Sequence, residues 1–337
     1  MKALIVNKPG TIEIVDIPQT VLSSSNEILV RIVAAGICGS DVAILKGTNP
    51  VAVYPRIIGH EMTGVVEEVG LDVTLFRVGD HVIIKQTESC GHCYACLHGR
   101  ANVCTGLQVR GVTIDGGYRE YIAVPEESAY VLGADLDLQI AVLIEPYTIG
   151  FHACQRGRLV SDDTLLVYGA GALGAIVIDV ASSFGCKILS VDISQEKLDQ
   201  AKKLGADVVF DGKDPNLRNL ILQATGGYGP TICIDCVCTP NSVEFLLDIV
   251  GNAGRVVTMG FDARPSSLAQ FIITSKEIDL IGSRLQHENF PSVIRLFEEG
   301  KIDPRRMVSH VFHFTDIARA VEVVKSGQYS KILLDFT

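Results

Sequence analysis

The run TLLVY followed at once by GAGALG, residues 164–174, restricts the fold more than any other part of the chain. Four of its first five residues are apolar and suit a strand buried on both faces. Gly169, Gly171 and Gly174 then fall in the GxGxxG spacing that lets a strand turn sharply into a helix. Leu173, Ile176, Val177, Val180 and Ala181 recur at helical spacing, and KILSV reads as a second strand ending at Asp192. The alternation continues through SQEKLDQAKKLG, DVVFD and TICIDCV, which predicts a doubly wound parallel sheet from about Asp163 onward. The glycines also let the backbone approach a pyrophosphate, whose charge meets free N–H groups and the positive end of the helix. Asp192 is expected to accept hydrogen bonds from both hydroxyls of a ribose. An acid there repels a 2'-phosphate, and Ile193 and Ser194 bring no arginine, so NAD is expected over NADP. Ser194 is expected to cap the next helix. Ala172, Leu173 and Lys197 complete the candidate cofactor-binding set.

Upstream the texture differs. EILVRIVAAG, TGVVEEVG and GDHVIIK are short apolar runs broken by turn residues and predict many short strands. Within this part, residues 89–104 read SCGHCYACLHGRANVC. Cys90, Cys93, Cys96 and Cys104 are close enough for one loop to wrap a tetrahedral zinc with Zn–S distances of about 2.3 Å. Four thiolates fill every position, so this zinc is expected to be structural. His92 and His98 lie in the same lobe but have no position left to fill. A second, scattered set comprises Cys38 in GICGSD, His60 and Glu61 in IIGHEM, and Glu145 in LIEPY. Taken singly, Cys38 suits a buried packing position and Glu145 a helix-capping carboxylate. Together, one thiolate, one imidazole and one or two carboxylates suit a catalytic zinc with an open or exchangeable position. Gly36, Gly39 and Gly59 are expected in tight turns that aim these side chains at one point.

The 337 residues are 47% hydrophobic and 20% charged, which suits two globular domains. A net charge of −10 argues against nucleic acid or an anionic membrane as partner. No run reaches the ~18 uncharged apolar residues of a membrane span, and the N-terminus does not read as a signal peptide. Ten cysteines then favour metal ligation over disulfides in a reducing, cytoplasmic setting. Cys233, Cys236 and Cys238 are expected on a strand, the last two sharing a face, as packing residues. Cys154 and Cys186 are also read as packing residues. Glu67 and Glu68 are read as a solvated face.

At GICGSD, GHEMTGVVEEVG, the four-cysteine lobe, DGGYREYIAVP, LIEP, GAGALG and KILLDF the chain resembles the zinc-dependent, medium-chain alcohol and polyol dehydrogenases, of the sorbitol dehydrogenase type. The resemblance implies an α/β protein of two domains. A GroES-like, mostly-β catalytic domain spans 1–147 and 285–337, carrying the zinc lobe 89–104, and a Rossmann NAD-binding domain spans 148–284. It implies two zincs per chain and an active site in the cleft. Cys38 and His60 would be ligands of the catalytic zinc, with Glu61 and Glu145 unranked between third ligand and exchanging neighbour. Asp41 would orient His60, and Ser40 would pass the alcohol proton outward. The histidine that continues this relay in many relatives is replaced by Ala43, so ordered water, the cofactor ribose or a carboxylate must serve instead.

The runs IEPYTIG and GSRLQHENFPSVIRLFEEGKI point to the L-gulonate and L-galactonate 5-dehydrogenases and their starvation-sensing relatives. Hydride would then pass from C5 of a hexonate to NAD, and Arg284 would pair with the substrate carboxylate, the cofactor or a surface acid being its competing partners. Neutral polyols and threonine are the alternative substrates. A non-catalytic zinc-containing binding module is the alternative outside enzymology; a binder has no need of an open zinc site. The family implies a homodimer or homotetramer.

Overall fold

The computed structural model describes residues 1–260, 262–326 and 330–337. The chain divides into two compact units, Met1–Glu145 with Phe290–Thr337, and Pro146–Asn289. These junctions differ by a few residues from the expected 147/148 and 284/285. The second has a packing cause: the helix Phe290–Glu298 buries Phe290, Val293, Ile294 and Phe297, and Phe290 stacks on Tyr130 of the first unit at 4.8 Å.

The first unit is built on a seven-stranded sheet whose centre is the long strand Glu27–Ile37. That strand pairs antiparallel with Glu61–Val69 on one side and with Lys331–Asp335 on the other, and its first half also pairs with Tyr121–Pro125. Ile28, Val30, Ile32, Val66, Val82, Ile84 and Val124 form one core against it. A second core joins Leu4, Val6, Ile37, Ile44, Ile332 and Leu334 to the helix Ile317–Ser326. The run DIARAVEVVKSG has the periodicity of a helix, and its last residue, Gly327, lies outside the described residues.

The second unit holds a six-stranded, all-parallel sheet in the order Val208–Asp211, Lys187–Asp192, Thr164–Tyr168, Ile232–Asp235, Arg255–Thr258, Asp279–Gly282. In chain order this is 3-2-1-4-5-6, the doubly wound arrangement whose direction reverses beside the first strand. The helix Ala172–Ser182 is buried nearly all round rather than along one stripe, including the acid Asp179. The expected strand TICIDCV stops at Asp235, so Cys236 and Cys238 are loop residues and share no strand face. Asp235 ends the strand because its carboxylate accepts the N–H groups of Val237 and Cys238, and Cys238 takes a left-handed φ of 60°. Cys154, Cys186 and Cys233 are buried, as packing residues should be. No helix among the described residues is long and apolar enough to cross a membrane.

Candidate active site and metal centres

Cys38 follows the last residue of the central strand, and the strands on either side deliver the other groups. Glu61 lies directly across from Gly36 in the ladder, and Lys331 precedes Ile332, which pairs with Ile37. Cys38, His60 and Glu61 each offer a donor atom within 4.8 Å of the others. Glu145 stands outside that group, buried at the start of the helix Ile144–Arg156, and burial pushes its carboxyl up to about 7 while the charges of His60 and Glu61 also act on it.

The helix Gly39–Lys46 starts at Cys38 because Asp41 reaches back to accept the Cys38 N–H at 2.9 Å. The same carboxylate oxygen accepts the Tyr118 hydroxyl at 3.2 Å, and that hydroxyl also donates to the Gly36 carbonyl at 3.0 Å. The other Asp41 oxygen stands 3.7 Å from His60 Nδ1, an ion-pair distance longer than a hydrogen bond. Burial alone would lower the His60 pKa, but the charges of Cys38 and Asp41 outweigh it and leave it well above the ordinary value. Asp41 is held low despite burial, chiefly by His60. Ser40 lies in the first turn of this helix, and its buried hydroxyl has no hydrogen-bond partner.

Two of the three glycines expected in turns act otherwise. Gly36 is inside the strand, and a Cβ there would come within 1.9 Å of a Glu61 carboxylate oxygen, so its missing side chain makes room for that acid. Gly39 begins the helix with open space around it. Gly59 does turn, with φ of 92°, and its missing Cβ admits the Tyr118 ring. Tyr118 and Lys331 are the residues that sequence reasoning missed. Lys331 Nζ lies 2.5 Å from Glu61 Oε1, with both side chains buried, and the other Glu61 oxygen is unpartnered. Their only sequence signals are the tyrosine of DGGYREY and the lysine of KILLDF.

In the cysteine lobe, Cys104 Sγ lies 3.4 Å from Cys90 Sγ and 3.8 Å from Cys93 Sγ, and Cys93 Sγ lies 3.5 Å from Cys96 Sγ. The backbone N–H groups of Cys90 and Gly106 both point at Cys104 Sγ at 3.3 Å. Backbone N–H donors pull the Cys93 thiol down to about 5, whereas burial and its sulfur neighbours push Cys96 up to about 11. Four thiols this close cannot all ionise without a cation among them, so the donor set fits zinc. His92 and His98 are exposed and engage the carbonyls of Cys90 and Tyr94.

In the second unit Gly169 turns with φ of 97°, Gly171 precedes the helix Ala172–Ser182 in open space, and a Cβ on Gly174 would lie 1.8 Å from the Gly169 carbonyl oxygen. Asp192 ends its strand and accepts the N–H groups of Ala170 at 2.8 Å and Ser194 at 2.9 Å. Ser194 precedes the helix Gln195–Leu204, but its side chain makes no capping bond, contrary to expectation. Ala172 is exposed, Leu173 half-buried, and Lys197 and Arg284 are exposed. Tyr147 of the IEPYTIG run donates to Asp179 at 2.6 Å, both fully buried.

Comparison with known proteins bears on both units. The alcohol dehydrogenase GroES-like domain model matches residues 24–134, and the zinc-binding dehydrogenase model matches 172–299. The starvation-sensing protein RspB of Escherichia coli is 38% identical over the whole of both chains. The chain belongs to the zinc-dependent medium-chain alcohol and polyol dehydrogenases. This dehydrogenase therefore has the GroES-like and Rossmann-type folds and is an oxidoreductase acting on a small molecule. A crystal structure of an E. coli CFT073 alcohol dehydrogenase (rspB), complexed with cofactor NADH, superposes with a TM-score of 0.93 at 38% identity, covering 100% of this chain and 99% of that one. A sorbitol dehydrogenase of Halalkalibacterium halodurans is 30% identical over 99% of both chains. The L-galactonate-5-dehydrogenase of E. coli is also 30% identical, over 94% of this chain and 93% of its own.

Proposed function

We propose that this dehydrogenase oxidises a secondary alcohol of a hydroxyl-rich substrate, a polyol or sugar acid, with NAD as hydride acceptor. The observation that carries this is the incomplete donor set of Cys38, His60 and Glu61, which contrasts with the closed set of four thiols in the lobe. Cys38, His60 and one or both of Glu61 and Glu145 would hold the catalytic zinc, and Cys90, Cys93, Cys96 and Cys104 the structural one. Zinc supplies Lewis acidity, lowering the pKa of a bound hydroxyl. Asp41, with an oxygen 3.7 Å from His60 Nδ1, would steady the imidazole and leave its other nitrogen for zinc. The unpartnered Ser40 hydroxyl is free to take the alcohol proton and pass it outward. Gly169, Gly171, Ala172, Leu173 and Gly174 would receive the NAD pyrophosphate. Asp192 would exchange its backbone N–H partners for ribose hydroxyls, with Lys197 nearby in sequence.

The finer substrate reading is a hexonate oxidised at C5, with Arg284 taking the carboxylate. A neutral polyol is the second reading, since the sorbitol and L-galactonate relatives are both 30% identical. The exposed Tyr94 and Leu97 of the lobe support self-association as a homodimer or homotetramer. Ten free cysteines support residence in the reducing cytoplasm.

The test is an NADH-formation screen over alditols, hexonates, threonine and simple alcohols, with zinc quantified in the same preparation. NADH from at least one alditol or hexonate and two zincs per chain are expected. No NADH from any of them, with one zinc per chain, would favour a non-catalytic binding module.

A further inference from the structure

Gln86 is fully buried, yet neither the nitrogen nor the oxygen of its side chain has a hydrogen-bond partner. An amide left so carries the full desolvation penalty of both its polar atoms. A buried amide in that position is a candidate to bind a polar ligand.

Two features of the first unit run from Gln86 toward the chain that carries His60. The strand Glu61–Val69 pairs with His81–Ile84 in the register Thr63↔Ile83, Gly64↔Val82, Val65↔His81. The pairing ends at Thr63↔Ile83, and the same one-residue steps carried three residues further would bring the chain at Gln86 alongside the chain at His60. The second feature is independent. The Gln86 carbonyl accepts the Arg110 N–H at 2.8 Å, and the adjacent Gly111 lies close against Gly59, the residue before His60. A Cβ on Gly111 would come within 2.6 Å of the Gly59 nitrogen.

We infer that the Gln86 amide is a substrate subsite, hydrogen-bonding a hydroxyl next to the carbon that is oxidised. This rests on the dehydrogenase reading above and adds to it the group that selects for hydroxyl-rich molecules. An amide offers donor and acceptor side by side, and a hydroxyl is both acceptor and donor, so one polyol hydroxyl can answer both atoms. A simple secondary alcohol leaves the amide unsatisfied. Sites built this way reject the analogue that lacks the hydroxyl because their own polar atoms are then stranded.

The test is Gln86→Met, which keeps length and volume and removes both polar atoms. The readouts, on the zinc-loaded enzyme with NAD, are the melting-temperature shift induced by sorbitol and by L-galactonate, and kcat/KM on both and on 2-butanol. The natural enzyme is expected to be stabilised by at least one hydroxyl-rich probe. The variant is expected to lose that shift and about tenfold to a hundredfold in kcat/KM on that probe, while zinc content and the rate on 2-butanol hold. Gln86→Glu, which keeps an acceptor and loses the donor, is expected to retain part of the shift, and it serves as the second variant if Met impairs folding. An unchanged kcat/KM on the hydroxyl-rich probe, an equal loss on 2-butanol, or no shift of the natural enzyme by either probe would overturn the assignment. A shift that Gln86→Met abolishes, without NADH formation by the natural enzyme, would support the subsite and count against the dehydrogenase reading.

Discussion

Replacing Lys331 with Met should damage the metal-depleted enzyme far more than a surface substitution would. Lys331 Nζ and Glu61 Oε1 are 2.5 Å apart, with side chains 7% and 1% exposed. Both charges have been taken out of water, and their attraction roughly offsets that desolvation, so the intact pair contributes little net stability. Removing the lysine alone strands a carboxylate that cannot reach solvent, at a cost of about 3–5 kcal/mol. The chain has two units, so one global unfolding free energy is a poor measure. Hydrogen exchange read strand by strand suits the question, with amides of Glu61–Val69 and Lys331–Asp335 as reporters. Their protection should fall by about a hundredfold to several-thousandfold, with the second unit unaffected, since 1.4 kcal/mol is about a factor of ten. Zinc loading should recover part of the loss by setting a cation beside Glu61. Adding Glu61→Gln to the Lys331→Met background should recover most of it without zinc, because a neutral amide replaces the stranded charge. Protection within about 0.5 kcal/mol of the natural protein, or no recovery in the double variant, would refute the reasoning.

Gly174→Ala should weaken NADH binding at least tenfold in a fluorescence titration with zinc content unchanged. The new methyl would meet the Gly169 carbonyl oxygen at 1.8 Å, and backbone cannot step aside cheaply; unaltered binding would show that the loop does not seat the pyrophosphate. Ser40→Ala should slow turnover at least tenfold without altering zinc content, and unchanged turnover would remove Ser40 from the proton path. Brief treatment with 1,10-phenanthroline should abolish activity while one zinc per chain remains, measured by plasma emission, because the four thiols enclose their metal and the Cys38 group does not. Loss of the lobe zinc first, with activity intact, would mean that the two roles are reversed.

What could be read from sequence was whatever is encoded locally. The glycine loop and the cysteine lobe each lie within one short stretch, and their chemistry depends on spacing along the chain. Cys38, His60 and Glu61 were legible as types that belong together, although nothing local says they meet. Lys331 was not, because its partner is 270 residues away and a lysine opening a terminal strand resembles an ordinary polar flank. Gly36 shows the same limit: it reads as a turn, but only the ladder reveals that it faces Glu61. Cys236 and Cys238 were misplaced because Asp235 halts the strand through its own side chain, a local competition that β-propensity does not register.

The central strand also sets an order of events during synthesis. Pro146–Asn289 is continuous and can close around its sheet as soon as it leaves the ribosome, whereas the first unit is split around it. Until Lys331–Asp335 arrives to pair with Glu27–Ile37, that sheet has an open edge and Glu61 lacks its lysine partner. Completion of the first unit thereby waits on the last strand to be synthesised. A chain truncated before its last strand would keep a foldable nucleotide-binding half and an unfinished metal site, and quality-control proteases would meet the second as exposed strand.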